Sequence, residues 1–421
     1  MHITLLTVGT RGDVQPYVAL GLGLKEAGHD VRLATHEVFK ELILGNGLEF
    51  APLTVDIQAV MAGPGGQRWV QSGGNQIRFA LRMIRLAYPT LQQMLDDSWV
   101  ACQGTQAILY STFAIAGYSV AEAMGIPSLA APLQPLTRTR VFPIMMSLPQ
   151  IFGFGGVINW LSYLIGEQFL WQPFRTALNR WRRERLGLPP IPFRGPFEQL
   201  YRERYPWIYG FSPSVIPRPP DWPEWVHVSG YWFLELQRDW SPPTRVLDFL
   251  AAGPPPVCIG FGSMIDRDQA ELMNIAVQAL NQTKQRGILL TGWGGMDEMV
   301  LSQDVLVLKS IPHEWLFPRM AAIVHHGGAG TTAAALRSGV PSIVTPFFAD
   351  QPFWGKVVAQ LGVAPAPIMR SKLTIEQLAE AIRIATGDEG MKARARALGE
   401  KIQAENGVER AVQIVKGYLN S

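Results

Sequence analysis

The residues from Val324 to Gly355, VHHGGAGTTAAALRSGVPSIVTPFFADQPFWG, admit few folds. An apolar run, AAIVHH (Ala321 to His326), passes through a glycine-rich turn into a helical stretch of small residues, TTAAALRSG. A strand feeding a helix in this way gathers backbone N–H groups and the positive end of the helix dipole at one point, which suits a phosphate. A second apolar run, PSIVTPFF, delivers Asp350 and Gln351 at its carboxyl end, the edge where open α/β sheets bind ligands. An acid beside an amide suits sugar hydroxyls.

The same alternation of strand and helix runs through the rest of the chain. ITLLTV (Ile3 to Val8), DVRLAT (Asp30 to Thr35), AILYST (Ala107 to Thr112) and PSLAAPL (Pro127 to Leu133) are short, continuous and β-rich, as strands of a doubly covered parallel sheet are. Between the first two, VQPYVALGLGLKEAGH has helical spacing, so strand, helix and strand form a parallel βαβ unit. The grammar restarts with PVCIGFG (Pro256 to Gly262), GILLTG (Gly287 to Gly292), VLVLKS (Val305 to Ser310), AAIVHH and PSIVTPF. At 421 residues the chain exceeds what one core accommodates, so two α/β domains of roughly 200 residues each are expected. The proline- and aromatic-rich passage from Val215 to Pro243 reads as the linker, with a cleft expected between the domains.

Composition excludes several classes. A net charge of +3, without a basic helix interleaved with stacking aromatics, argues against nucleic acid. Cys102 and Cys258, far apart in different expected domains, form neither a disulfide framework nor a metal cluster and suit a reducing compartment. The N-terminus reads as a first core strand, and a cytoplasmic protein is the simplest expectation. The longest apolar stretch, Ile144 to Leu170, is broken by Pro149, four glycines, Asn159 and Glu167, and reads as an acceptor-side or membrane-surface segment. Between Thr137 and Arg204 the βα rhythm yields to large apolar residues, among them Phe142, Phe152 and Trp160, followed by a basic cluster with Arg182, Arg183 and Arg185. That combination fits both plain core and a pocket for a flat, apolar acceptor near an anionic membrane.

The Val324–Gly355 block and the turn GTRGDVQP (Gly9 to Pro16) together resemble the signatures of the UDP-dependent glycosyltransferases of the GT-B fold. The match is closest to the sterol glucosyltransferases and the bacterial antibiotic glycosyltransferases, and it spans nearly the whole chain. The resemblance implies an α/β protein of two Rossmann-like domains with parallel sheets facing an interdomain cleft. Residues 1–222 would bind the acceptor, with a terminal helix (403–421) packing back on them, and residues 223–402 would bind the donor.

The resemblance also implies roles. Asp13 is the general base that takes the proton of the acceptor hydroxyl, although the turn alone favours a helix N-cap. An acid beside a helix N-terminus is expected to have a lowered pKa. His326, with Gly327, Gly328, Gly330, Thr331 and Thr332, cradles the donor diphosphate, and Asp350 and Gln351 hold the sugar. Adjacent histidines point to opposite faces of a strand, so at most one of His325 and His326 faces the ligand. Arg11, Gly12, Ser263 and Trp293 complete the donor side in this reading, with core packing the alternative for Trp293. Plant members carry a Glu where Ala334 stands and a base-stacking Trp that falls at Ser310, so nucleobase recognition passes to the backbone at Ser310, Ile311 and Pro312. No DxD-type metal motif appears, and no metal or resident cofactor is expected.

The resulting expectation is an inverting, monomeric enzyme that moves glucose from UDP-glucose to an apolar alcohol, a sterol foremost, with peripheral membrane contact. Polyketide, glycopeptide, flavonoid or carotenoid acceptors are the alternative within the chemistry. A sugar-nucleotide epimerase on the same fold and a non-catalytic lipid-binding protein are the alternatives outside it.

Overall fold

The computed structural model describes residues 1–56, 76–144, 155–236, 240–261, 269–292 and 299–419. These fall into two compact units, one of residues 1–56, 80–234 and 405–419, the other chiefly of residues 235–404.

The first unit is built on seven strands, β1 (His2–Leu6), β2 (Asp30–His36), β3 (Glu49–Leu53), β4 (Ala107–Tyr110), β5 (Ser128–Ala130), β6 (Trp207–Tyr209) and β7 (Val226–Val228). They lie in the order β3-β2-β1-β4-β5-β6-β7 and every pairing is parallel. The order reverses at β1, so the turns after β1 and β4 open a crevice at the carboxyl edge, where doubly wound sheets bind ligands. The four strands read from apolar runs are present, with ends that differ from the runs by up to three residues. Strands β3, β6 and β7 carry no comparable run: β6 and β7 are only three residues long, and Pro52 and His227 interrupt β3 and β7.

Strand β7 moves the expected domain boundary. Residues 226–228 pair in register with residues 207–209, and Trp222 stacks 5.0 Å from Tyr209, so the first unit runs to Leu234 rather than to residue 222. The terminal helix Gly407–Leu419 does pack on the first unit. Its Ala411, Val412 and Val415 join the cluster of Leu20, Leu24 and Val31, and a Cβ on Gly23 would lie 2.5 Å from Val408, so the close approach of the two helices depends on that glycine.

The second unit contains β8 (Val257–Gly260), β9 (Gly287–Leu290), β10 (Met299–Ser302), β11 (Val305–Leu308), β12 (Ala322–His325) and β13 (Ser342–Val344). Their order is β10-β11-β9-β8-β12-β13, parallel except for β10 against β11. Its core gathers the inward positions of β8, β9, β11, β12 and β13 with the helices Gln269–Thr283 and Ile375–Gly387. Among the described residues no helix is long and apolar enough to cross a membrane.

Candidate active site

In the first unit the chain leaves β1 and enters the helix Arg11–Glu26 through Gly9 and Thr10. Thr10 is the N-cap, and Asp13 is the third helical residue, so the expectation of an Asp13 N-cap is corrected by three positions. Asp13 Oδ2 accepts from the Thr10 N–H (2.8 Å) and from the Thr10 hydroxyl (3.0 Å), which closes a capping box. Burial raises the Asp13 carboxyl above the usual range and outweighs the two Thr10 hydrogen bonds that lower it. The expected depression near a helix N-terminus is therefore overturned, because desolvation of the charged form is the larger effect here. A higher pKa makes the carboxylate a stronger base.

One helical turn on, the fully buried Tyr17 donates to the Ala131 carbonyl at the end of β5, and its phenol is pushed far up by burial and by the charge of Asp13. Ser111 and Gln134, at the ends of β4 and β5, complete this edge: Ser111 Oγ accepts from the Val8 N–H (3.4 Å) and Gln134 Oε1 from the Thr112 hydroxyl (3.3 Å). Sequence reasoning missed these three. The spacing of Asp13 and Tyr17, which places both on one helix face, was the available signal for Tyr17. Arg11 is exposed and its Nε donates to Gln15 Oε1 (3.2 Å), while Gly12 lies in the first turn.

In the second unit β12 ends at His325, and the helix Ala329–Arg337 starts after Gly328, whose lack of a side chain leaves the first-turn N–H groups of Ala329, Gly330 and Thr331 without a side-chain cap. Gly327 has φ +90°, and a Cβ there would lie 2.7 Å from Val344 and 3.0 Å from the Gln351 carbonyl oxygen, so the turns after β12 and β13 are in direct contact. His326 is partly exposed. Its ring lies over the turn, since a Cβ on Gly328 would come 2.5 Å from Nε2, and its Nδ1 is enclosed without a hydrogen-bond partner among the described residues. Burial lowers its pKa to about 4, so at neutral pH the ring is uncharged and can interact only by hydrogen bonding and packing. His325 is buried, and its Nδ1 accepts from the Gly327 N–H (3.1 Å), which places the proton on Nε2.

Asp350 and Gln351 open the helix Gln351–Gln360, but they are not equivalent. The buried Gln351 accepts from the N–H groups of Phe347 (2.8 Å) and Phe348 (3.3 Å), so its carbonyl holds the turn itself. Asp350 is partly exposed and its Oδ2 accepts from Trp354 Nε1 (3.0 Å). Ser310 is exposed after β11, whereas the Ile311 side chain is buried in the core. Ser263, Trp293 and Phe152 lie outside the described residues.

The aromatic passage is largely the helix Gly155–Leu186. Its Tyr163, Trp171, Leu178 and Trp181 are buried, but Trp160 is 38% exposed, and Phe142 packs edge-on to Trp222 at 6.5 Å. Arg182 is not a surface charge: it is 2% exposed, donating to Ser119 Oγ (2.8 Å) and Glu122 (2.9 Å). Arg183 and Arg185 are exposed.

Two Rossmann-like units, one with a half-buried carboxylate after its first strand and the other with a glycine turn under a histidine, define the GT-B class. The chain belongs to the GT-B glycosyltransferases: residues 3–143 match the glycosyltransferase family 28 N-terminal domain and residues 294–416 the erythromycin biosynthesis protein CIII-like C-terminal domain. It is 38% identical over 439 residues to a sterol 3-beta-glucosyltransferase of Cryptococcus neoformans, covering 99% of this chain and 27% of that protein. It is 37% identical to that of Emericella nidulans, covering 99% of this chain and 30% of that protein, so it spans roughly a quarter to a third of such relatives. Solved structures share the fold. The glycosyltransferase of kitacinnamycin superposes with a TM-score of 0.72 at 21% identity, covering 99% of both chains. The glycosyltransferase SnogD from Streptomyces nogalater gives 0.65 at 22% identity, also covering 99% of both chains.

Proposed function

We propose that this chain is an inverting glycosyltransferase that moves glucose from UDP-glucose to the hydroxyl of an apolar acceptor, a sterol foremost. The observation that carries the reading is the presence, in one chain, of the half-buried Asp13 carboxylate with its raised pKa and of uncapped helix amides under a neutral His326. The sterol 3-beta-glucosyltransferases that match 99% of the chain support the acceptor.

In this mechanism Asp13 accepts the acceptor proton as the oxygen attacks the anomeric carbon from the face opposite the leaving group, which inverts that carbon. The bond from the anomeric carbon to the diphosphate oxygen breaks with its electron pair on oxygen. The N–H groups of Ala329, Gly330 and Thr331 and a hydrogen bond from His326 take up that charge, and no metal cofactor enters the scheme. Asp350 reads sugar hydroxyls. Two solved neighbours hold thymidine diphosphate, which supports a pyrimidine nucleoside diphosphate as the leaving group. The protein acts as a monomer in the cytoplasm, in peripheral contact with a membrane.

Purified protein given UDP-glucose with ergosterol or cholesterol in detergent should yield the hexosyl sterol by mass spectrometry. Hydrolysis or epimerisation of the donor, with no sterol product, would replace this reading with that of a sugar-nucleotide epimerase.

A further inference from the structure

We propose that the outer face of the helix Gly155–Leu186, with the arginine-lined cavity beside it, is the surface by which this chain docks on an anionic lipid bilayer. Val157, Leu161 and Ile165 recur every four residues, so they share one helix face, and they are 57%, 44% and 60% exposed. This is not the core face, which carries Tyr163, Gly166, Glu167 and Trp171. Trp160 borders the row. At one end stands Val141, 56% exposed, tethered by the bond from Asn159 Nδ2 to the Arg140 carbonyl (3.0 Å). At the other stands Phe193, 65% exposed, its carbonyl held by Trp171 Nε1 (2.9 Å) and Gln172 Nε2 (2.7 Å). From Val157 to Ile165 the helix advances about 12 Å at ~1.5 Å per residue. A contiguous apolar row of this length marks an interaction surface, unlike scattered apolar residues.

Charge decides the occupant. A cavity of about 490 Å³ adjoins the row, with Trp160 common to both, and its wall includes Arg138, Arg140, Arg202 and Tyr201. Arg138 is committed to Glu167 through two hydrogen bonds of 2.6 Å. Of the cavity's acids, Asp221 accepts from the Thr139 hydroxyl and the Arg140 N–H (both 2.7 Å), and Glu198 pairs with Arg194 (3.6 Å). Among the described residues no carboxylate pairs with the guanidinium of Arg140 or Arg202. Exposed guanidinium groups beside an inserted apolar row match lipid phosphates above acyl chains, with Trp160 at the boundary. A second copy would bring the same arginines and repel. The inference rests on the apolar-acceptor reading only in that such an acceptor is drawn from a bilayer.

The test is sedimentation of the full chain with vesicles. Binding to vesicles containing 30% phosphatidylserine should exceed binding to pure phosphatidylcholine at least tenfold and fall with added salt. Leu161→Glu and Ile165→Glu should each cut it at least tenfold, and Arg140→Glu with Arg202→Glu should remove the preference for the anionic lipid. The milder Ile165→Ser, with unchanged melting temperature, should still weaken binding severalfold. No preference for the anionic lipid, parental binding by the apolar variants, or a change of oligomeric state in Leu161→Glu would overturn the proposal. Glucosylation of sterol in detergent is measured in parallel; its failure counts against the enzyme reading and leaves the vesicle result to stand by itself.

Discussion

A Cβ added to Gly9 would lie 2.7 Å from Asp13 Cγ and closer still to the carboxylate oxygen, so the proposed base occupies space that only a glycine leaves open. Gly9 also has φ +143°, a conformation that side chains resist. Gly9→Ala should therefore displace the carboxylate and lower kcat at least a hundredfold while UDP affinity, measured by calorimetry, stays within twofold. Near-parental turnover would show that the position of Asp13 is not critical.

Asp13→Asn should separate function from stability. Loss of a general base costs about 10²- to 10⁴-fold in turnover. The raised pKa of Asp13 means that the folded state favours the protonated form, so the ionised carboxylate costs stability once pH rises through its folded value. The uncharged amide keeps an acceptor for the Thr10 N–H without that cost. The melting temperature of Asp13→Asn at pH 7 should equal or exceed the parental value; a clear drop would mean that the charge stabilises the helix start instead.

His325 should set part of the acid sensitivity. Burial, foremost, and then the charges of His326 and His313 lower its pKa to about 3 from an ordinary 6.5, so the unfolded chain binds a proton that the folded chain excludes. Its contribution is fully present above pH 6.5 and is lost as pH falls from 6.5 toward 3, at up to about 1.4 kcal/mol per pH unit. Denaturant titrations of His325→Asn, which retains an acceptor for the Gly327 N–H, should show a shallower decline across that window. An unchanged slope would assign the sensitivity elsewhere.

Gln351 and Asp350 should respond differently to substitution. Gln351→Ala leaves the buried amides of Phe347 and Phe348 without their acceptor, at about 1–3 kcal/mol of stability. Trp354→Phe removes only the indole donor to Asp350, and should alter the ratio of kcat/KM for glucose and galactose donors with little change in UDP affinity. Equal losses for both donors would count against Asp350 as the reader of sugar stereochemistry.

The strand–turn–helix form of the two turns was legible in the chain itself, because glycine spacing, apolar runs and the first turn of a helix are set by neighbours a few residues apart. So were nine of the strands. Burial was not legible, since it depends on segments far away in sequence. Only the folded protein places β7 in the first sheet and raises Asp13 against the pull of its own helix. Only there is Arg182 buried on Glu122, while Trp160, from the same helix and of apolar character, turns toward solvent. Periodicity shows that a helix has faces, but what packs against each face is decided by the elements around it.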